Sequence, residues 1–181
     1  MLFIKSKGNI MTTITHSTPK LIKNLVFALA LSCPLAWGNE IYQIKNPSGA
    51  SVNLSLALTK EQHTHGLSGL KTKDFKINEG MLFVNTEMGP RRFWMPDTYF
   101  NLDIIFLDKD LKIVGIEKNV PAHPGNSEPP TIYKTETYNA QYVLETKSGA
   151  SFSKKLKIND QLKFIGSNSI SEIALRTRQQ R

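Results

Sequence analysis

One cysteine, Cys33, is all that the 181 residues contain, so no disulfide can form within the chain. A domain without cross-links must be held together by its hydrophobic core. No apolar run reaches the roughly twenty residues that an ordinary membrane-spanning helix needs. There is no glycine-rich phosphate loop and no alternation of strands with long helices, which argues against a doubly wound nucleotide-binding fold. No complete catalytic, metal or nucleotide motif is present.

What the N-terminus does carry is a sorting signal. Residues 24–39 are uncharged, follow Lys20 and Lys23, and have an apolar centre over 25–31. Even at its most generous, over 25–37, the apolar stretch is interrupted by Pro34 and is too short to span a bilayer. A charged start, a short apolar centre and then Ala36-Trp37-Gly38 read as a secretory signal peptide, residues 1–38, cut after Gly38. Lipidation at Cys33 is disfavoured, because Leu is expected three residues earlier and Ala30 stands there. An uncleaved anchor fits less well still, and Met11 is an alternative start.

Removing 1–38 leaves 143 residues, one domain by length. Four basic residues and no acidic ones go with the signal, so 19 basic residues face 15 acidic ones and the net charge drops from +8 to +4. Nucleic acid is therefore not an expected partner, and neither is stable membrane insertion once the signal is gone. The expected location is the periplasm or the medium outside the cell.

Along the mature chain, Val52, Leu54, Leu56 and Leu58 alternate with smaller or polar residues, the pattern of a half-buried strand. A weaker strand over 41–45 precedes it across Asn46-Pro47-Ser48-Gly49. Thr59 and Gln62 have capping-box spacing and start a short helix over 60–70, weakened by Gly66 and Gly69, with His63, Leu67 and Leu70 on one face. Residues 81–84 and 102–107 are continuous apolar runs that need cover on both faces. Further strands are expected over 111–120, 141–146 and 161–165, with one helical turn over 151–156. Between them, 120–139 holds four prolines and no hydrophobic period, as a functional or mobile loop does. Residues 167–181 read as a flexible basic tail. Short strands with one short helix predict a mostly β (α+β) domain over 39–166: a small, largely antiparallel barrel-like or rolled sheet with the helix packed on it.

The densest chemistry lies in Arg91-Arg92-Phe93-Trp94. Two guanidiniums beside two large rings offer a planar donor fork and a stacking face to a sugar, a carboxylate or an anionic polymer. The plainer alternative is a strand on which Phe93 and Trp94 alternate, one of them buried and the other under an arginine stem. Exposure of Trp94 decides between them. Met95, Asp97 and Thr98 continue the cluster, and Asp97 after Pro96 is expected to close a turn by accepting from nearby amides. Asp103 opens an apolar strand, where a charge is costly unless paired, and Arg91 or Arg92 is its expected partner. His123, from the loop, completes the candidate set.

Several motifs fail on inspection. His63 and His65, two apart on a helix, point to different faces and do not clamp one metal. Asp108-Lys109-Asp110 imitates a calcium loop, but the required Gly and Glu positions hold Ile113 and Asn119. Gly66-Leu67-Ser68-Gly69 lacks the second spacer of a nucleophile elbow. No metal and no cofactor are assigned.

Five blocks in order resemble one family: His65-Gly66-Leu67-Ser68-Gly69, Gly80-Met81-Leu82-Phe83-Val84, Phe93-Trp94-Met95-Pro96-Asp97-Thr98, the stretch from Leu102 to Asp108, and Tyr142-Val143-Leu144-Glu145. Across about residues 50–165 the chain is similar to the bacterial and archaeal domain of unknown function 192. That resemblance implies a compact, barrel-like β fold with a packed helix and no settled activity. Many relatives carry Met and Arg where this chain has Ser68 and Lys71, and some carry cysteines in the proline-rich loop, so no role for those thiols transfers.

The favoured reading is an exported, non-enzymatic domain. It would bind a small molecule, a glycan or an envelope protein near Arg91, Arg92, Trp94, Met95, Asp97, Thr98, Asp103 and His123. The alternatives are a hydrolase of an envelope polymer using Asp97, Asp103 or His123, and a structural accessory protein. N-terminal sequencing of the exported protein should return Asn39 as its first residue; a lipid-modified Cys33 or retention of 1–38 refutes the signal assignment.

Overall fold

Leu102-Asp103-Ile104-Ile105-Phe106-Leu107 is apolar at both strand parities except for Asp103, and such a segment is stable only when both of its faces are covered. The computed structural model describes residues 42–179, and there this segment is an interior strand with all six residues buried. The signal-peptide assignment lies outside the described residues.

The strands are β1 (Tyr42–Lys45), β2 (Ser51–Ala57), β3 (Glu79–Arg91), β4 (Leu102–Leu107), β5 (Ile113–Val120), β6 (Tyr138–Lys147) and β7 (Lys163–Ile165). The helices are α1 (Lys60–His65), α2 (Ser151–Lys154) and α3 (Ile170–Gln179). All seven strands form one sheet in the order β5-β4-β6-β3-β2-β1-β7. β2 and β3 pair in parallel across the connection that contains α1, and every other pairing is antiparallel. This is a β-rich α+β fold.

The barrel expectation needs correction: the sheet does not close. β5 and β7 remain its two edges. The start of β5 is joined to the segment before β7, where Ile113 N–H donates to Asp160 O, Asn159 N–H to Ile113 O and Leu162 N–H to Leu111 O. Short β7 and the bulges in β5 leave too little regular backbone on either side for a continuous ladder.

Period-2 alternation sorts the side chains of the central strands into two cores. Leu82, Val84, Ile105, Leu107, Tyr142 and Leu144 enter one, together with Phe152 of α2 and Ile170 and Ala174 of α3. Phe83, Leu102, Ile104, Phe106 and Val143 enter the other, with Leu67, Phe75, Met95 and Phe100 packed over them from the connecting segments.

Three local expectations change. α1 stops at His65 and not near 70, because Gly66 takes a positive φ of 51° and ends the helix; its Thr59–Gln62 capping box is formed. The 120–139 loop is neither structureless nor detached: His123, Ile132 and Thr135 are buried, and isolated bridges tie His123 to Thr98 and Lys134 to Trp94. The flexible tail is a docked helix. Ser169 and Glu172 cap the start of α3 reciprocally, and Ile170, Ile173, Ala174 and Thr177 fall on one buried stripe while Leu175 stays exposed.

Asp103 is structural, but not through an arginine. β5 places Lys118 and Asn119 opposite this single residue, since Leu102 pairs with Val120 and Ile104 with Glu117. Asp103 Oδ1 accepts the Asn119 N–H at 2.9 Å, Oδ2 accepts Ser153 Oγ–H at 2.5 Å, and Lys118 Nζ stands 3.7 Å away. Strand parity puts its side chain on the face opposite Ile104, where neither arginine reaches.

Two measurements test this architecture. Ending the chain at Gly166 should remove at least about 2 kcal/mol of stability by exposing the surface that Ile170 and Ile173 cover, seen as a melting temperature lower by roughly 5 °C; an unchanged melt refutes docking of α3. Asp103→Asn should cost about 1–3 kcal/mol in urea titrations, because the amide nitrogen cannot accept from Ser153; a neutral effect refutes the clamp.

Candidate functional site

The connection from β2 to β3 and the segment that follows β3 face each other across a cleft. Leu67, buried in the second core, anchors the first wall, and the N-terminal part of that wall is α1. His63 Nε2–H donates to Ala57 O at 2.9 Å and its ring meets Phe83 edge-on, fixing α1 to the sheet. Gly66 must be a glycine: besides its positive φ, a Cβ there would lie 3.3 Å from the Phe83 ring.

The second wall comes from the far half of β3. Val84 pairs with Tyr142 but Gly89 with Ala140, so four β3 residues stand opposite Gln141 and the strand bends. Asn85 and Gln141 exchange side-chain-to-carbonyl hydrogen bonds across the irregularity. Beyond it, Arg91 donates from Nε to Ala140 O and from Nη2 to Glu87 O. Thr135 holds the next residues three ways: its carbonyl accepts Arg92 Nε–H, its Oγ1 accepts Phe93 N–H, and its own N–H donates to Phe93 O. Phe93 and Met95 consequently turn into the core, Met95 completely, while Arg92 and Trp94 turn out. The indole of Trp94 is 55 % exposed.

The segment carrying Thr135 is itself pinned to β5. Glu117 accepts from the Tyr133 and Tyr138 hydroxyls at 3.1 and 3.0 Å and from Glu136 N–H at 3.2 Å. Burial, reinforced by Glu117, pushes the Tyr138 phenol up to about 12, so it remains a donor. Its ring lies over Gly115, where any Cβ would fall 2.3 Å from it.

The two walls are latched to each other and to the loop. Ser68 Oγ–H donates to Pro96 O and Gly69 N–H to Asp97 O, both at 2.8 Å. Asp97, at φ +51°, exchanges hydrogen bonds with Gly125 through its N–H and its Oδ1. Its expected short-range turn is thus replaced by a contact to a residue 28 positions on. Thr98 and His123 pair through backbone and hydroxyl, and His123 Nε2 lies 3.0 Å from Ser127 O.

The expected site residues therefore separate. Arg91, Arg92, Trp94 and Thr98 line the cleft. Met95 is core, Asp97 and His123 are latch residues, and Asp103 lies on the opposite face of the sheet. Asp97, Asp103 and His123 do not converge. The cleft encloses about 270 Å³, and a shallower groove lined by Lys60, Glu61, His65, Trp94 and Asn126 adjoins it.

One lining residue was not anticipated. Glu145, in the C-terminal half of β6, is paired with Met81 of β3 and Ile104 of β4, and it lines the cleft together with Phe83. It is 4 % exposed, and its Oε2 has no hydrogen-bond partner among the described residues. Burial alone pushes its carboxyl up to about 8, so it is mostly neutral at pH 7. The available signal was a carboxylate inside the apolar strand Tyr142-Val143-Leu144-Glu145. Thr146 Oγ1 is also buried without a partner, but strand parity turns it to the other core.

Among solved structures, one from Sinorhizobium meliloti 1021, described as a "putative transcription regulator", is 30% identical with a TM-score of 0.54, over 71% of this chain and 93% of that one. A protein of unknown function from Novosphingobium aromaticivorans DSM 12444 is 26% identical, also with a TM-score of 0.54, over 68% and 83% of the two chains. No curated protein matches. The model of the family described as Uncharacterized ACR, domain of unknown function 192, matches residues 43–164. With that match running from β1 to β7 and thus over the whole sheet, the chain belongs to the domain of unknown function 192 family.

Proposed function

We propose that this protein is an exported binding domain whose cleft takes a small acidic sugar of the cell envelope. The observation that carries the reading is the exposed Trp94 ring beside exposed Arg92 at the mouth of a cleft that is lined by polar groups as well as by Phe83 and Phe93. An indole face stacks on the C–H face of a sugar ring, and a guanidinium pairs with a carboxylate through parallel N–H donors. Arg92 uses only Nε within the protein, donating to Thr135 O, which holds the guanidinium in place while its terminal nitrogens make no hydrogen bond among the described residues. Ligand pockets usually run from roughly 300 to 1,000 Å³, so about 270 Å³ suits a monosaccharide unit and not a large cofactor.

A glycoside hydrolase is the weaker reading. The usual mechanism needs two carboxyl groups flanking the scissile bond, and among the described residues Glu145 is the only acidic one lining the cleft. The description of the S. meliloti protein belongs to that protein, and a cleft of this size fits a small ligand better than a duplex.

Titration with D-glucuronate followed by calorimetry tests the proposal. Trp94→Ala should weaken binding at least tenfold, equivalent to about 1.4 kcal/mol, while the melting temperature changes little. Loss of roughly 3–5 kcal/mol of stability, the cost of deleting a core aromatic, or binding equal to that of the unaltered protein, would sink it.

A further inference from the structure

We propose that Glu145 is the floor anchor of the cleft, where its buried carboxyl makes a hydrogen bond to an oxygen of the bound sugar. This deepens the sugar-acid reading and rests on it.

The carboxyl is placed by the sheet, not by a loop. Its neighbours across β3 and β4 are Met81 and Ile104, both on the apolar face that forms the second core. An apolar side chain would satisfy packing at this position. A buried carboxyl with an idle oxygen is the kind of polar group that native cores almost always pair, so its lack of a partner needs an explanation. The cleft supplies one, because Glu145 is among its lining residues.

Among the described residues, no ion pair to the Glu145 carboxyl is formed by the surrounding elements. His63 and His65 come from α1, and Arg91 and Arg92 from the end of β3 and just beyond it. Lys147, two residues along β6, donates to Thr72 O and Phe75 O. Desolvation is the one cause acting on the Glu145 carboxyl, and no ion pair opposes it. A neutral acid in the floor donates one hydrogen bond and suits a ring or hydroxyl oxygen of a sugar, while Arg92 and Trp94 at the mouth hold the carboxylate and the ring face.

Two arms test the assignment. Without ligand, the folded-state value near 8 lies above the unfolded 4.5, so the folded protein holds more protons between them. Stability is then greatest at low pH and falls as pH rises through that window, by about tenfold in the folding constant per pH unit. Urea titrations from pH 5 to 9 should show this fall, and E145Q should lack that component. With D-glucuronate, affinity of the unaltered protein should drop roughly tenfold between pH 7 and pH 9, as the donor ionises. E145Q retains an N–H donor and should bind alike at both; E145M should bind at least tenfold more weakly than E145Q. The variants share His63, His65, Arg91, Arg92 and Lys147, so pH effects from those groups are common to all. If E145M does not fold, the contrast between the unaltered protein and E145Q decides. Glucuronate binding that is indifferent to Glu145, or that tightens at pH 9, overturns the anchor and leaves the sugar-acid reading standing. No glucuronate binding by the unaltered protein at either pH overturns both.

Discussion

Burial of β6 on both faces is the constraint from which the rest of the molecule follows. It lies between β4 and β3 in the sheet, and Tyr142, Val143, Leu144, Glu145 and Thr146 are all buried. A strand covered on both sides forces two cores, one for each parity. With no disulfide in the described domain, those cores supply the cohesion. α2 and α3 seal one face, while α1, the segment after β3 and the proline-rich loop seal the other. The cleft is where this second cover is incomplete. Two connecting segments meet there over the sheet without filling the space above Phe83 and Glu145.

The cover is irregular backbone, and each piece needs its polar groups satisfied. Reciprocal latches do this. Ser68 and Gly69 serve Pro96 and Asp97, Asp97 serves Gly125, Thr98 serves His123, and Thr135 serves Arg92 and Phe93. Residues that looked like chemistry in the sequence, Asp97 and His123, are occupied in this way. The outcome is a fixed rim on a rigid floor, which preorganises whatever the rim presents and reduces the ordering cost of binding. Asp103 performs the equivalent task on the other face, taking up the amide that the β5 bulge leaves unpaired.

Features with local physical causes were legible in the sequence. The apolar run of β4 gave its boundaries, the Thr59–Gln62 spacing gave the helix start, and Arg92 and Trp94 were placed among candidates that line the cleft. Features decided by distant pairing were not. The second half of β3, Asn85 to Arg91, is polar and contains Gly89 and Pro90, and it is a strand only because β6 lies beside it. The partner of Asp103 depended on register, which sequence alone does not fix. α3 is a different kind of miss. Ser169 and Glu172 have capping-box spacing, and Ile170, Ile173, Ala174 and Thr177 follow a helical period, but the surrounding serines and arginines conceal the stripe.

Glu145 sets a problem of energetics that packing does not solve. Holding a carboxyl neutral at pH 7 when its ordinary value is 4.5 costs roughly 3 kcal/mol of folding stability, at about 1.4 kcal/mol for each pH unit. Stabilities of single domains are only about 5–15 kcal/mol, so the cost is a considerable share. An aliphatic side chain between Met81 and Ile104 would remove it without disturbing the strand pairing. The sheet would be more stable without this carboxyl, and Glu145 lines the cleft whose mouth presents Trp94 and Arg92. A destabilising group retained where an internal strand meets a binding-sized cavity is better accounted for by what the cavity receives than by what the core requires.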